Sequence, residues 1–180
     1  MNITLPLTKA MTPTLNAGDV VYLTGTIYTA RDAAHKRLIE LIEQKKALPF
    51  DLQDNVIYYV GPTPAKPGAV IGSAGPTSSY RMDDYSPTLL DLGLTGMIGK
   101  GSRSEAVIRS MQKNQAVYFA AVGGAAALLA RQIKKCEVIA FEDLGAEAIH
   151  RLYVEDFPVI VAIDSKGKSL FAMKEEKGND

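Results

Sequence analysis

The sequence is short of cysteine, of net charge and of long apolar runs, and each shortage excludes a class of function. Its 180 residues include one cysteine, Cys136, so no disulfide can form within the chain and a cytoplasmic setting is expected. A lone cysteine also cannot ligate a structural zinc or hold an iron–sulfur cluster by itself. Lysine plus arginine and aspartate plus glutamate number 20 each, which gives no electrostatic basis for binding nucleic acid or a membrane surface.

No segment has the pattern of a membrane span or of a signal peptide. The longest stretch of small apolar residues, 116–130, is shorter than a span requires and is interrupted by two glycines. The first residues, MNITLP, lack a basic start and a long apolar core. With 47% apolar and 22% charged residues, we expect one globular domain over residues 1–180, with a charged and frayed tail at 174–180.

The alternation of apolar runs with helical periodicities predicts an α/β fold. Strands are predicted at residues 3–7, 20–28, 56–60, 69–72, 96–99, 116–122, 137–141, 158–163 and 169–173. Helices are predicted after Thr29 and at residues 83–92, 104–112, 125–133 and 146–153. We therefore expect a three-layer β/β/α domain with a central, mostly parallel sheet, helices on one face and a second, antiparallel sheet.

Arg31 carries an unusual charge for its predicted position. Thr29 and Asp32 form a capping-box pattern, which predicts a helix N-terminus and puts Arg31 in the first turn. The partial positive charge at a helix N-terminus disfavours a cation there. Either the side chain turns away into water, or it is held for an anion that also uses the helix N-terminus.

A second group of candidate residues surrounds a predicted strand-to-helix turn at 75–83 (GPTSSYRMD). Thr77 and Arg81 lie within it, and Lys100 follows the next predicted strand. An ordinary Gly-Pro turn with capping hydroxyls also explains the turn residues. However, parallel strands bring their C-terminal loops to one edge of a sheet. Together with Arg31 these residues would place three cations and a hydroxyl at a dicarboxylate site, because the arginine fork pairs with both oxygens of a carboxylate.

Other kinds of site find less support. Gly123 and Gly124, between a predicted strand and helix, suggest nucleotide binding, but both phosphate-loop patterns are absent. No Gly-x-Ser-x-Gly elbow indicates a serine nucleophile. The carboxylates at 142–143 are expected to cap a helix or face solvent. His35 and His150 are expected to have packing roles.

Several segments follow one another in a recognisable order and spacing. They are 29–36 (TARDAAHK), 75–83, 98–101 (IGKG), 118–126 (YFAAVGGAA), 142–148 (EDLGAEA) and 156–158 (DFP). Over most of its length the chain resembles the β subunit of class I, iron–sulfur fumarate hydratase and the related tartrate dehydratase β subunit. The resemblance implies a swivelling β/β/α domain, equivalent to the C-terminal part of the single-chain enzymes. It also implies a partner α subunit that carries a [4Fe-4S] cluster, in a dimer of αβ pairs.

The resemblance further implies a role for each candidate residue. Arg31 and Arg81 would bind the carboxylates of a small dicarboxylate substrate, Thr77 would remove the proton, and Lys100 would support the site electrostatically. This chain would supply no metal ligand. The implied reaction is the reversible hydration of fumarate to (S)-malate, with L(+)-tartrate dehydration or a non-catalytic dicarboxylate-binding or assembly role as alternatives. Residues 78–80 (SSY) differ from the commoner family pattern and bear on which substrate is used.

Overall fold

A single mixed sheet forms the framework of the domain. The computed structural model describes residues 1–121 and 126–178. The strands of this part are β1 (Asn2–Thr4), β2 (Val20–Thr29), β3 (Val56–Tyr58), β4 (Gly96–Gly99), β5 (Val117–Ala121), β6 (Ile133–Ala140) and β7 (Ile149–Ile163). Their order is β1-β2-β3-β4-β5-β7-β6, and β2 also pairs with β7. The pairings therefore close a ring of five strands, in the order β2, β3, β4, β5 and β7.

The first five strands are parallel to their neighbours, and the last two are antiparallel. β2 pairs with β1 and β3, and the parallel order continues through β4 to β5. One edge of β7 pairs with β2. Its other edge pairs with β6 over its first half and with β5 over its second half. The length of β7, 15 residues, allows it to join the parallel and antiparallel parts.

The helices described are α1 (Asp32–Glu43), α2 (Ser86–Asp91), α3 (Glu105–Asn114), α4 (Ala126–Arg131) and α5 (Leu170–Gly178). The first three cover the outer face of the parallel strands, whereas Leu129 of α4 is buried in the other core. Leu38 of α1, Leu89 of α2 and Met111 of α3 pack in one cluster with strand residues such as Met97 and Tyr118. Each of these side chains is completely buried. This cluster forms the layer between sheet and helices.

A second core lies on the opposite face of the same strands. Tyr58 and Ile98 of the parallel strands meet Leu152 and Phe157 of β7 there. Because successive strand side chains point to opposite faces, neighbouring residues such as Met97 and Ile98 enter different cores. The ring of strands thus encloses one apolar core, and its outer face shares the other with the helices.

β2 contains a bulge at Gly25. The pairing of β2 with β7 shifts register between Leu23 and Gly25. Gly25 has a φ of 138°, which side chains rarely adopt, and a methyl group there would lie 2.8 Å from Leu5 Cβ. Only glycine allows β2 to bend beside the segment after β1.

Three predicted elements are wrong. Residues 69–72 form no strand and belong to a long loop. Residues 146–153 are not a helix, because most of them enter β7, where backbone hydrogen bonds to strands on both sides outweigh the local helix preference. Residues 169–173 form no returning strand, since α5 begins at Leu170. The glycine turn predicted at 123–124 lies outside the described residues.

The α/β class is confirmed, with one mixed parallel and antiparallel sheet of seven strands among the described residues, but the division into two sheets is not confirmed. In the described part of the chain, β6 and β7 hydrogen-bond into the same sheet as the parallel strands. The predicted antiparallel layer therefore exists as the far side of a closed ring. None of the helices described is long and apolar enough to cross a membrane.

Candidate active site

The C-terminal ends of β2, β3 and β4 lie side by side at one edge of the sheet. Thr29, the last residue of β2, is beside Tyr58 of β3, and Tyr58 is beside Ile98 of β4. The chain leaves these strands into the segments that contain Arg31 and Lys100. In parallel sheets this edge is where ligands bind.

Arg31 lies immediately before α1, and the predicted cap of this helix is wrong. Thr29 belongs to β2 and is buried. Its hydroxyl accepts a hydrogen bond from the His150 backbone N–H at 3.0 Å and donates to the Ala148 carbonyl at 3.3 Å. Arg31 itself occupies the N-cap position and makes no side-chain capping bond. Its side chain is therefore available for another role.

The Arg31 side chain is held between a glycine and a carboxylate. A methyl group on Gly61 would lie 3.0 Å from Arg31 Cδ and 3.2 Å from Nη1, so the absence of a side chain at Gly61 makes room for the arginine. Arg31 Nε lies 4.0 Å from Glu147 Oε1, and the arginine side chain is 27% exposed. Among the described residues Nε has no hydrogen-bond partner, although it is buried.

Thr77 reaches the same edge through its backbone. The Thr77 N–H donates to the Tyr59 carbonyl just after β3, at 2.8 Å, and the Ser79 N–H donates to the Lys100 carbonyl at 2.9 Å. Ser78 and Lys100 form an isolated parallel bridge. The segment around Thr77 thus continues the sheet beyond the ends of β3 and β4, without the strand that the sequence predicted before it.

Arg81 is linked to the start of α1 by an ion pair with Asp32. It lies in a 3-10 turn, Ser79–Met82, and its Nε donates to Asp32 Oδ2 at 2.9 Å. Asp32 is the first residue of α1 and directly follows Arg31. The ion pair therefore ties the Arg81 segment to the start of α1, next to which Arg31 lies.

Buried hydrogen bonds of the Ser79 and Tyr118 hydroxyls hold the segment from Thr77 to Arg81 against the sheet. Ser79 Oγ and the Tyr118 hydroxyl are 2.7 Å apart, and the Tyr118 hydroxyl also donates to the Gly101 carbonyl at 2.7 Å. A methyl group on Gly99 would overlap Ser79 Oγ. Burial raises the pKa of Tyr118 to about 12, so this hydroxyl stays protonated and can donate.

Arg103 is a buried charge that the sequence did not reveal. Its side chain has no exposed area, and its Nε donates to Asp83 Oδ1 at 2.7 Å. Its guanidinium lies 5.2 Å from the Tyr59 ring centre and 5.0 Å from that of Tyr118. A further hydrogen bond of 2.8 Å joins Arg103 Nη2 to Ser86. Arg103 thereby ties the chain just after Arg81 to β3, β5 and α2.

His35 is completely buried on α1 next to this edge. Its Nδ1 lies 2.8 Å from the Arg31 carbonyl, and its ring meets Tyr59 edge-on, with centres 5.5 Å apart. Burial lowers the pKa of His35 from 6.5 to about 4, against the opposing effect of its hydrogen bond to the Arg31 carbonyl. His35 is therefore neutral and has the packing role that the sequence predicted.

The buried His35 predicts a loss of stability in mild acid. Between about pH 6.5 and pH 4 the unfolded chain binds a proton on this residue and the folded chain does not, so the free energy of unfolding falls as the pH falls through that window. The difference in pKa corresponds to about 3 kcal/mol. Urea unfolding between pH 7.5 and 4.5 should show a clearly smaller pH slope in His35→Gln; an equal slope would contradict this origin. His150 retains a weaker effect of the same sign, because burial lowers its pKa as well.

The four candidate residues all lie at this one edge, and their partners come from elsewhere in the chain. Asp32, Glu147 and Arg103 were not predicted as site residues. Asp32 pairs with a residue 49 positions away, and Arg103 with one 20 positions away. No local periodicity reveals such pairs. A carboxylate next to an arginine at a helix start was the only sequence signal for Asp32.

The carboxylates predicted to cap or face solvent partly do so. Asp143 is exposed and makes a two-pronged pair with Arg37 of α1, at 2.8 and 2.6 Å. Cys136 lies on β6 opposite Leu152. Within residues 1–121 and 126–178, no three histidine, cysteine, aspartate or glutamate side chains come together as a metal site.

The chain is thus an α/β domain with a closed mixed sheet that carries two arginines, a threonine and a lysine at the C-terminal edge of its parallel strands. A model of the family described as Fumarase C-terminus matches residues 1–174. The chain belongs to this family.

Relatives of two kinds share the family. A protein described as the β subunit of an L(+)-tartrate dehydratase, from Methanocaldococcus jannaschii, is 42% identical over 92% of this chain and 88% of its own length. The L(+)-tartrate dehydratase β subunit of Escherichia coli is 35% identical over 94% of this chain and 86% of its own. The anaerobic class I fumarate hydratase of Escherichia coli is 44% identical over 83% of this chain, but the match spans only 28% of that enzyme.

Proposed function

We propose that this chain is the β subunit of an iron–sulfur hydro-lyase that reversibly hydrates fumarate to (S)-malate. The observation that carries the proposal is the Arg31–Asp32–Arg81 arrangement at the sheet edge that also presents Thr77 and Lys100. Two neighbouring guanidinium groups fit the two carboxylates of a small dicarboxylate. The similarity to hydratases and dehydratases supports the same class of reaction.

The proposed roles follow from what each side chain can do. Arg31 and Arg81 bind the substrate carboxylates and fix the carbon chain between them. Removal of the proton next to a carboxylate develops negative charge on that carboxylate, and fixed cations stabilise it as it forms. Thr77 accepts this proton. A hydroxyl is a weak base unless a neighbour activates it; Lys100, whose backbone bridges to Ser78, and groups of the α subunit are the candidates.

The cofactor is proposed to belong to the partner. A [4Fe-4S] cluster on an α subunit would supply a Lewis acid for the departing hydroxyl. This chain has one cysteine, and its described residues contain no cluster of ligating side chains, so they fit a subunit that does not hold the cluster. The proposed residues complete an active site whose metal lies on the other chain.

Two buried atoms support an active site that is completed from outside. Arg31 Nε and Asp32 Oδ1 have no hydrogen-bond partner among the described residues. Leaving such a group unpaired costs about 1–3 kcal/mol. A substrate carboxylate or the α subunit would satisfy Arg31 Nε, and a hydrogen-bond donor of the α subunit would satisfy Asp32 Oδ1. We place the complex in the cytoplasm as a dimer of αβ pairs, in which this domain swivels as a unit against its partner.

Dehydration of L(+)-tartrate is the second candidate function. The two relatives named as tartrate dehydratase β subunits match this chain over most of both lengths, as expected for a separate β subunit. In the fumarate hydratase the equivalent region is about a quarter of one long chain. Tyr80, which is 68% exposed beside Arg81, is placed where it can contact either the substrate or the partner.

Anaerobic assay of the co-expressed pair tests the proposal. The complex with a cluster-bearing α subunit is expected to interconvert fumarate and malate, whereas the isolated chain is expected to be folded, colourless and inactive. Activity with tartrate alone would select the second function. A complex that binds malate but converts none of the three compounds would support the non-catalytic alternative. A brown, cluster-containing preparation of this chain by itself would contradict the assignment of the cluster to the partner.

A further inference from the structure

Arg81 meets Asp32 through one edge of its guanidinium group. The Nε atom donates to Asp32 Oδ2 at 2.9 Å. In residues 1–121 and 126–178, no acceptor is found for Nη1 or Nη2. The guanidinium is planar, and the edge between its two terminal nitrogens is one that pairs with both oxygens of a carboxylate. Because Asp32 bonds to Nε, the edge between Nη1 and Nη2 remains available to a ligand.

Another arginine on α1 shows the contrasting arrangement. Arg37 donates to Asp143 from both terminal nitrogens, Nη1 to Oδ1 at 2.8 Å and Nη2 to Oδ2 at 2.6 Å. In that pair both terminal nitrogens of Arg37 are already hydrogen-bonded, so this edge of the guanidinium is not available to a ligand. An arginine and an aspartate thus form two kinds of pair in this chain. In the Arg37–Asp143 pair, called closed, both terminal nitrogens are used. In the Arg81–Asp32 pair at the candidate site, called open, they are not.

Asp32 is suited to hold an arginine in one orientation. It is the first residue of a 12-residue helix, so its backbone is fixed more firmly than that of a loop residue. A free arginine side chain carries about 2 kcal/mol of rotamer entropy, part of which is lost each time it binds a ligand. Asp32 removes some of this freedom before the substrate arrives.

We propose that Asp32 is the positioning residue for Arg81: it takes the Nε edge so that the Nη1–Nη2 edge faces the substrate carboxylate. The proposal rests on the proposed function, because it assumes that Arg81 binds a dicarboxylate. Asp32 does not touch the substrate. Its negative charge also lowers the repulsion between Arg81 and Arg31, its own neighbour.

Asp32→Asn in the assembled αβ enzyme tests the role of the carboxylate. The pair is partly exposed, with side-chain exposures of 45% for Arg81 and 33% for Asp32, so its loss should barely change stability. We expect KM for the dicarboxylate, and the Kd of malate, to rise roughly tenfold, with a smaller change in kcat. Asp143→Asn removes the carboxylate of the closed pair and is the matched control, with KM unchanged.

A double-mutant cycle separates positioning from a general structural effect. If Asp32 acts through Arg81, adding Asp32→Asn to Arg81→Lys should change kcat/KM little further, since lysine has no Nε edge to be gripped. Additive losses would overturn the proposal, and so would a wild-type KM and malate Kd in Asp32→Asn.

If the wild-type complex binds malate but catalyses no hydration or dehydration, the proposed function is rejected and the malate Kd still decides the role of Asp32. A complex that neither binds nor converts these compounds overturns both.

Discussion

Thr77→Val is expected to lower kcat of the assembled enzyme by about 10²–10⁴-fold, the usual contribution of a positioned acid or base. Valine keeps the shape of threonine and removes the hydroxyl that is proposed to accept the proton. The backbone N–H of residue 77, not its side chain, holds the segment to the Tyr59 carbonyl at 2.8 Å, so the variant should fold normally. Because the arginines are proposed to bind the carboxylates, KM should change much less than kcat.

Thr77→Ser is the matched control for this prediction. Serine retains the hydroxyl and loses one methyl group, so most of the activity should remain. Steady-state rates with malate and fumarate, measured without oxygen, give kcat and KM separately for both variants. A valine variant with kcat within a few-fold of wild type would show that the base lies elsewhere, in this chain or in its partner.

Local signals in the sequence predicted those elements whose hydrogen bonds and packing are also local. Ser104 was identified as the start of a helix, and its hydroxyl does accept from the Val107 N–H at the N-cap of α3. Residues 149–153 were misjudged because their structure is set by β2 and β6 on either side, and local propensity carries no information about those neighbours.

In the candidate site, too, local sequence signals and contacts between distant residues must be distinguished. Arg31 and Lys100 were singled out because each lies next to a strand or helix end, which can be identified from the sequence, whereas Thr77 and Arg81 were singled out after a predicted strand at 69–72 that does not form. Their supports could not be found in that way. Tyr118 reaches Ser79 across 39 positions, and it does so only because the parallel order of strands brings β5 next to β4.

Arg103→Met is expected to lower the free energy of unfolding by about 3–5 kcal/mol, because it removes one partner of a buried ion pair. Asp83 would keep its charge with only 14% of its side chain exposed. It would still accept from the Ser104 N–H at 2.9 Å, but the stronger of its hydrogen bonds would be lost. Two aromatic ring faces, of Tyr59 and Tyr118, would also lose the cation that lies over them.

Arg109→Met provides the control, because Arg109 belongs to the neighbouring helix α3 but pairs with Glu105 at 3.8 Å on the surface, where its side chain is 74% exposed. Such a pair contributes about 0–1 kcal/mol, so urea unfolding should separate the two variants clearly. Arg103→Lys should fall between them, since lysine keeps the charge but cannot reach Asp83 and Ser86 with separate nitrogens. Equal stability losses at positions 103 and 109 would contradict a central role for Arg103.

If the large loss is found, activity per folded molecule should fall as well, because Asp83 lies two residues after Arg81 and its ion pair with Arg103 fixes the end of the segment that presents Thr77 and Arg81.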